Sequence, residues 1–376
     1  MRHNRGPLDD VLVLTVRKSF WASQECRVFP HRLYAKILYG RSANWVNSLL
    51  VALRSIVCFY RHRPRIIVFG SVHRIVPWFI CLRRLGLLPG AKLVTTNQVN
   101  FGYRQARYVD KIILYSHKEV ALCEAAFSSK ESLLQKVLRR TEVVVRRLGA
   151  GTGYSLWSLL ANILLSARRR LSPLPAKVEH TGIKYLYMPL PPDGDFHMNR
   201  PPLQGEYYIF SGGGAGRDFG SLIEAVREIG VRLKIVTFSP GSLGYNGERP
   251  GNCEVRWRMP LEEFLNLMSG ALFVVIPLKI GIVGCGHTTV AQALCLGKPV
   301  ITNSDAGLED YVTDGYNGLL VSPGDVSGYR QAITRLLSDR ELCASLAQRA
   351  QTRATDLTYE AFATRLVGLC QDLLSV

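Results

Sequence analysis

The chain has 376 residues, 47% of them hydrophobic and 20% charged, with a formal net charge of +18. That length exceeds what one hydrophobic core usually serves, so two domains of roughly 150–200 residues are expected, and the composition excludes a disordered chain. Nine cysteines, an odd number, are scattered from Cys26 to Cys370 without CxxC or Cys/His ligand spacing, which argues against a disulfide framework or a zinc site and for a reduced, cytoplasmic protein.

The N-terminal MRHNRGPLDD lacks the apolar core of a secretion signal. Strands are expected at DVLVLTV (10–16), RIIVFG (65–70), KLVTT (92–96) and KIILYS (111–116), with helices between them over Asn44–Tyr60 and Arg74–Leu87. Residues 130–177 then carry 10 Lys/Arg against 2 acidic residues around LGAGTGYSLWSLLANILLSA (148–167), which is uncharged. Twenty residues suffice nominally to span a bilayer, but three glycines open the run and arginines flank both ends, at Arg146–Arg147 and Arg168–Arg170. An interfacial segment, with Trp157 and its leucines among acyl chains, fits better; the alternative is an amphipathic helix pair docked on the first domain. A linker is expected at 188–204, beginning MPLPPDGDF.

The second half alternates strand and helix more clearly. EYYIFS (206–211), RLKIVTF (232–238), EVRWRM, ALFVVIPL (271–278), KPVITN (298–303) and GLLVS (318–322) read as strands; Asp218–Ile229 and LEEFLNLMSG (261–270) read as helices. Near-continuous apolar strands alternating with helices imply a parallel sheet covered on both faces. The expected fold is therefore α/β, two tandem Rossmann-like domains facing a central cleft: a basic domain at 1–187 and a second at 205–376, whose last helix can pack back on the first. Charge divides along the same line. Residues 1–180 hold 30 Lys/Arg against 9 Asp/Glu, a net of +21, and residues 181–376 hold 17 against 20, a net of −3. A one-sided basic surface seeks polyanions.

Two stretches carry candidate chemistry. In SGGGAGRDFGSLIEAV (211–226) a strand ends in nearly bare backbone before a helix starts. Gly213, Gly214 and Gly216 would let a diphosphate approach the main chain, and Arg217 adds a fork of charged donors. Asp218 suits an N-cap. The third glycine of a dinucleotide-binding GxGxxG frame is missing, and no acidic residue ends the next strand, so a dehydrogenase is disfavoured. GIVGCGHTTVAQALCLGKPVITNS (281–304) repeats the device, with Gly286, His287, Thr288 and Thr289 at a helix start. The first of these loops could instead be a tight structural turn.

From about Glu206 to Leu369 the ordered pieces FSGGGAGRDFGSLIEAV, VRWRMPLEEFLNLMSGALFVVIPL and GHTTVAQALCLGKPVITNSDAGLEDYVTDGYNGLLVSPGD resemble the donor-binding domain of GT-B glycosyltransferases, the large retaining, group 1 type that uses nucleotide-diphosphate sugars. The first 180 residues resemble that family only in their strand–helix rhythm. The resemblance implies a donor site in the C-terminal domain, with Arg217 at the diphosphate. It also exposes a departure: where the family carries two glutamates separated by seven residues, this chain has Gly284 and Gln292. Gln292 retains hydrogen-bonding capacity for ribose without charge, and Gly284 retains none.

A departing nucleoside diphosphate gains negative charge, which helix N-termini and Arg217 can stabilise without a metal. His287 could donate to a phosphate or the sugar, or simply cap its helix. An inverting reaction would need an acceptor base from the first domain, with His73 the first candidate and His117 the next; Asn97 and Asn100 are placed to bind acceptor. The expected catalytic set is thus His287, Arg217 and His73, with no metal and no cofactor beyond the nucleotide-sugar substrate. Expected partners are a nucleotide sugar, a lipid-linked or saccharide acceptor and an anionic membrane surface at the cytosolic face, with no nucleic acid. The competing readings are a non-catalytic nucleotide-sugar-binding subunit, suggested by the missing glutamates, a nucleic-acid-binding protein, suggested by the basic half, and a GT-B-fold epimerase.

Overall fold

Strand residues buried on both sides must divide their side chains between two cores, and Val11–Thr15 (β1) does so. Leu12 and Leu14 face one core, Val11 and Val13 the other. The computed structural model describes residues 10–15, 31–34, 44–70, 76–96, 109–128, 185–192, 207–304 and 306–375. The expected interfacial segment at 130–177 with Trp157, most of the expected linker 188–204, and His73, Asn97 and Asn100 lie outside the described residues.

His31–Tyr34 (β2), Ile66–Gly70 (β3), Lys92–Thr96 (β4), Lys111–Leu114 (β5) and Tyr185–Tyr187 (β6) join β1 in a parallel sheet ordered β2-β1-β3-β4-β5-β6. One face packs on Phe59 of the helix Asn44–His62 (α1) and on Phe79 and Ile80 of Val76–Arg84 (α2), with Val120 of His117–Ser128 (α3) at its margin. The other face is covered by the far end of the chain. Phe362, Ala363, Leu366 and Cys370 of the C-terminal helix, Tyr359–Ser375, lie against Val11, Val13, Ile66, Val68, Val94 and Ile113. Arg65 Nη2 and Lys92 Nζ donate to the carbonyls of Leu374 and Leu373 at 3.2 and 2.5 Å, where the helix leaves its last acceptors unpaired.

The second sheet is built the same way from Tyr208–Gly212 (β7), Arg232–Thr237 (β8), Cys253–Trp257 (β9), Val274–Ile276 (β10), Val300–Asn303 (β11) and Gly318–Val321 (β12), ordered β12-β11-β10-β7-β8-β9 and all parallel. Phe219–Val226 (α4), with Val326–Ser338 (α8) and Arg340–Ala354 (α9), covers the face bearing Ile209, Leu233, Val275 and Ile301. Leu261–Gly270 (α6) and His287–Cys295 (α7) cover the face bearing Phe210, Val274 and Ile276. A one-turn helix, Pro240–Leu243 (α5), follows β8. The apolar run 271–278 makes a strand only over Val274–Ile276: Ala271 caps α6, and Pro277 turns out of the ladder to accept the Asp218 N–H.

The chain runs β7-β8-β9 towards one edge, then returns through β10 beside β7 and continues to the other edge. The crossover helices after β7 and β10 therefore leave on opposite faces, opening a crevice between these two strands at their carboxyl ends, where ligands bind in open α/β sheets. Residues just beyond β5 meet residues beyond β10 and β11. Tyr311 Oη donates to the Tyr115 carbonyl at 2.9 Å and accepts the Leu190 N–H at 2.8 Å; His117 N and Nδ1 each lie 2.7 Å from the Asp310 carboxylate. The carboxyl edges of the two sheets thus face each other.

Candidate functional site

The two glycine-bearing turns singled out in the sequence occupy this crevice. Asp218 caps α4, its Oδ1 accepting the Ser221 N–H at 3.3 Å and its Oδ2 the Ser221 hydroxyl at 2.6 Å. Gly286 starts α7 with φ of +93°, and the first helical bond, Val290 N to Gly286 O at 2.9 Å, leaves the amides of His287, Thr288 and Thr289 ahead of the ladder. Such orphan amides, with the dipole behind them, favour an anion.

The turns are also bonded to each other. Arg217 bridges to Leu278, and Lys279 N donates to Gly216 O at 2.9 Å. Arg217 Nε donates to Gly212 O at 2.9 Å, Nη1 to Ala215 O at 3.1 Å and Nη2 to Thr289 Oγ1 at 3.0 Å. The guanidinium is only 4% exposed, and burial pulls its pKa down to about 10, so it is still charged at neutral pH. Arg217 is a strap from the first turn to the head of α7, with three of its five N–H groups bonded to protein acceptors.

The bareness of the backbone has a packing cause as well. A Cβ on Gly213 would lie 2.6 Å from Arg217 Nη2, and one on Gly214 would enter the Phe238 ring. At Gly216 φ is +68° and a Cβ would lie 2.7 Å from Ile282. Phe238 is 63% exposed over Gly214, at the mouth of the crevice.

Thr288 is half-buried, Thr289 is buried and used by Arg217, and Gln292 lies one turn on, 3% exposed. His287 is 4% exposed, between the rings of Tyr115 and Tyr311 at centroid distances of 6.2 and 5.3 Å. Burial lowers its pKa to about 4, so the imidazole is neutral. His117 is clasped to Asp310 and stacked on Tyr187 at 4.0 Å, so it tethers the domains. Sequence reasoning missed Glu119, Asp310 and Tyr311. Only Glu119 left a trace, as the last residue of Ser116-His117-Lys118-Glu119, the pattern of a helix-capping box.

Two parallel-sheet domains with opposed carboxyl edges, and an anion-ready crevice on one of them, define the two-domain architecture of GT-B proteins. Residues 248–353, within the C-terminal domain, match the family model described as glycosyl transferases group 1. A stretch of 145 residues is 27% identical to an uncharacterized glycosyltransferase of Methanocaldococcus jannaschii, covering 37% of this chain and only 40% of that protein. The fold is shared with sucrose-phosphate synthase of Thermosynechococcus elongatus, at a TM-score of 0.58 and 14% identity over 92% of this chain and 83% of that one. It is shared also with Anabaena HepE, solved in complex with UDP and glucose, at a TM-score of 0.53 and 12% identity over 97% and 99%.

Proposed function

We propose that the chain is a glycosyltransferase that moves a glycosyl group from a nucleoside-diphosphate sugar to a lipid-linked or saccharide acceptor at the cytosolic face of a membrane. The observation that carries this reading is the pair of glycine-bearing helix starts at the β7/β10 crevice, opening towards the other domain. In the reaction the bond from the anomeric carbon to the diphosphate oxygen breaks, and a bond to an acceptor oxygen forms. The acceptor proton leaves to the departing diphosphate or to a base in the first domain. The amides of His287 and Thr288 and the α7 dipole take up the charge growing on the diphosphate, while Arg217 keeps the two turns in register. Calorimetric titration with UDP, GDP and TDP, followed by turnover of the matching sugar nucleotides, tests the reading. Absence of diphosphate binding refutes it.

A non-catalytic donor-binding subunit is the second reading, favoured by Gly284, which offers no side chain, and by the burial of Gln292. Binding without transfer, in the presence of a membrane extract, would select it.

The membrane part of the reading is supported by the outer face of α1. Leu53, Val57 and Tyr60 recur at helical spacing and are exposed, Val57 at 67%, with Leu85 and Leu87 alongside. Arg54, Arg61, Arg63 and Arg65 are exposed around them. Between residues 26 and 109 the sequence has 14 Lys/Arg and no Asp or Glu. Apolar side chains rimmed by exposed arginines fit an anionic lipid surface. No helix among the described residues is long and apolar enough to cross a membrane. Phosphatidylserine vesicles should bind the protein at low salt, and Leu53→Asp/Val57→Asp should weaken binding about tenfold or more, since each side chain contributes on the order of 1–2 kcal/mol on insertion. Binding unchanged by both salt and these substitutions would remove α1 from the membrane contact.

A further inference from the structure

Glu119 and His287 come from different domains and meet in the buried interface between them. One oxygen of Glu119 has an evident task. Oε2 accepts the Tyr115 N–H at 3.0 Å and the Ser116 hydroxyl at 3.2 Å, while Ser116 Oγ accepts the Glu119 N–H at 3.1 Å, closing the start of α3. The other oxygen, Oε1, is buried with no partner on a residue that is 1% exposed. Across the interface His287 Nε2 is likewise buried with no partner, 3.9 Å from Oε2. The ring bonds the Gly307 backbone in the sense that favours a protonated nitrogen, so Nδ1 carries the N–H and Nε2 presents a lone pair. The bonds to Oε2 offset only part of the carboxylate's desolvation, and an Oε1 without a donor, near the lone pair of Nε2 in a dry interface, leaves the rest uncompensated. One proton between them removes the conflict; two would leave a buried cation beside the Arg217 guanidinium.

We propose that Glu119 and His287 hold a single proton between them across the domain interface, making Glu119 a positioning residue that steadies the head of α7 through His287. Its functional consequence rests on the donor-site reading; the pair itself does not. Other groups facing the pair are the Tyr115 and Tyr311 rings, the Asp310 carboxylate bonded to His117, the Cys285 thiol and Arg217. Burial pushes the Tyr311 phenol and the Cys285 thiol up, so both stay neutral at physiological pH. Burial also raises the Glu119 carboxyl and lowers His287, which puts the shared proton on Glu119.

Proton counting then gives a signature. Unfolded, Glu119 titrates near its ordinary 4.5 and His287 near 6.5. Between those values the unfolded chain holds one proton on these two groups, on the histidine, and the folded chain holds one, on the glutamate, so the pair's contribution to stability is level. Above 6.5 the unfolded chain holds none, and stability falls as pH rises for as long as the folded carboxyl keeps its proton. Below 4.5 it holds two, and stability falls as pH falls, until His287 takes its proton near 4.

Glu119→Gln keeps an oxygen for the Tyr115 amide and turns N–H groups towards the Nε2 side, so it retains the cap and a neutral, proton-bearing neighbour for His287 while losing the titration. The ratio of the wild-type unfolding constant to that of Glu119→Gln should rise as pH is raised above about 4.5, by at most about tenfold per unit, and level off once the folded carboxyl itself loses its proton. A ratio that is flat throughout or falls with pH overturns the pair. Should Glu119→Gln not fold, His287→Asn tests the other half. The ratio of the wild-type unfolding constant to that of His287→Asn should rise about tenfold per unit as pH is lowered from 6.5 towards 4, and a flat ratio again overturns the pair. Calorimetry with UDP, GDP and TDP from pH 6.5 to 8.5 tests the positioning role. Wild-type affinity should hold over the range in which the Glu119→Gln unfolding ratio rises and fall only where that ratio levels off as the carboxyl loses its proton, while Glu119→Gln stays level throughout; a fall while the ratio is still rising, or an equal fall in both proteins, overturns that role. If no diphosphate binds at any pH while the unfolding ratios behave as expected, the donor reading fails and the shared proton stands.

Discussion

Arg217→Ala removes the strap between the two turns, and its cost can be worked from the bonds it makes. The bonds from Nε to Gly212 O and from Nη2 to Thr289 Oγ1 are buried, at 2.9 and 3.0 Å, whereas the one to Ala215 O is partly open to water. A hydrogen bond from a charged donor contributes about 1.5 kcal/mol or more, and an acceptor that water can reach after truncation loses little. Two buried bonds therefore give about 3 kcal/mol, which in a domain of this size lowers the melting temperature by roughly 6–12 °C. Differential scanning calorimetry reads that shift. Arg217→Lys separates the strap from the charge, because an ammonium group cannot hold three divergent acceptors as a planar fork does. Lysine should recover little of the melting temperature, and both variants should bind diphosphate weakly because the head of α7 is no longer held against the first turn. If Arg217→Lys melts low yet binds UDP, GDP or TDP like the wild type, charge alone matters to the ligand and the strap does not. If Arg217→Ala melts within a degree or two of the wild type, the buried bonds contribute nothing and the reasoning fails.

Gly216→Ala forces a side chain into positive φ and against Ile282, for an expected loss of about 2 kcal/mol, whereas Gly214→Ala meets only the exposed Phe238 ring, which can swing aside, and should cost under about 1 kcal/mol; urea melts rank the two. Tyr311→Phe leaves the Leu190 N–H and the Tyr115 carbonyl without partners in a buried interface, a loss of about 2–3 kcal/mol, and should appear as faster hydrogen exchange at the Leu190 amide.

Much of the fold was legible because parallel strands buried on both faces have little freedom of composition. Val11–Thr15, Ile66–Gly70, Lys92–Thr96 and Lys111–Leu114 all fall within the expected strands. His31–Tyr34 and Tyr185–Tyr187, the two edge strands of the first sheet, did not stand out, since a short edge strand with a histidine and an arginine, or with only three residues, lacks a continuous apolar signature. Nor could any periodicity show that β10 would lie beside β7. That choice creates the crevice, and strand order is fixed by tertiary packing between residues some sixty positions apart.

The candidate site was legible in its backbone and opaque in its side chains, for a physical reason. A glycine at positive φ announces a turn in the sequence, and Gly213, Gly216 and Gly286 lie where a helix start meets the crevice. What a long polar side chain does depends on neighbours that arrive from elsewhere in the chain. Arg217 in isolation reads as a cation offered to a phosphate, yet Thr289, on a helix from another crossover, turns it into an internal tie. His287 reads as a donor at a helix head, yet Tyr115 and Glu119, from the other domain, enclose it. In both cases the partners come from elements that no local reading of the sequence could place beside the side chain. On the proposed reading a diphosphate meets the amides at the head of α7, which Arg217 ties to the first turn and His287 packs against the first domain. A site organised this way should tolerate exchange of polar side chains around the crevice better than any change that tilts α7.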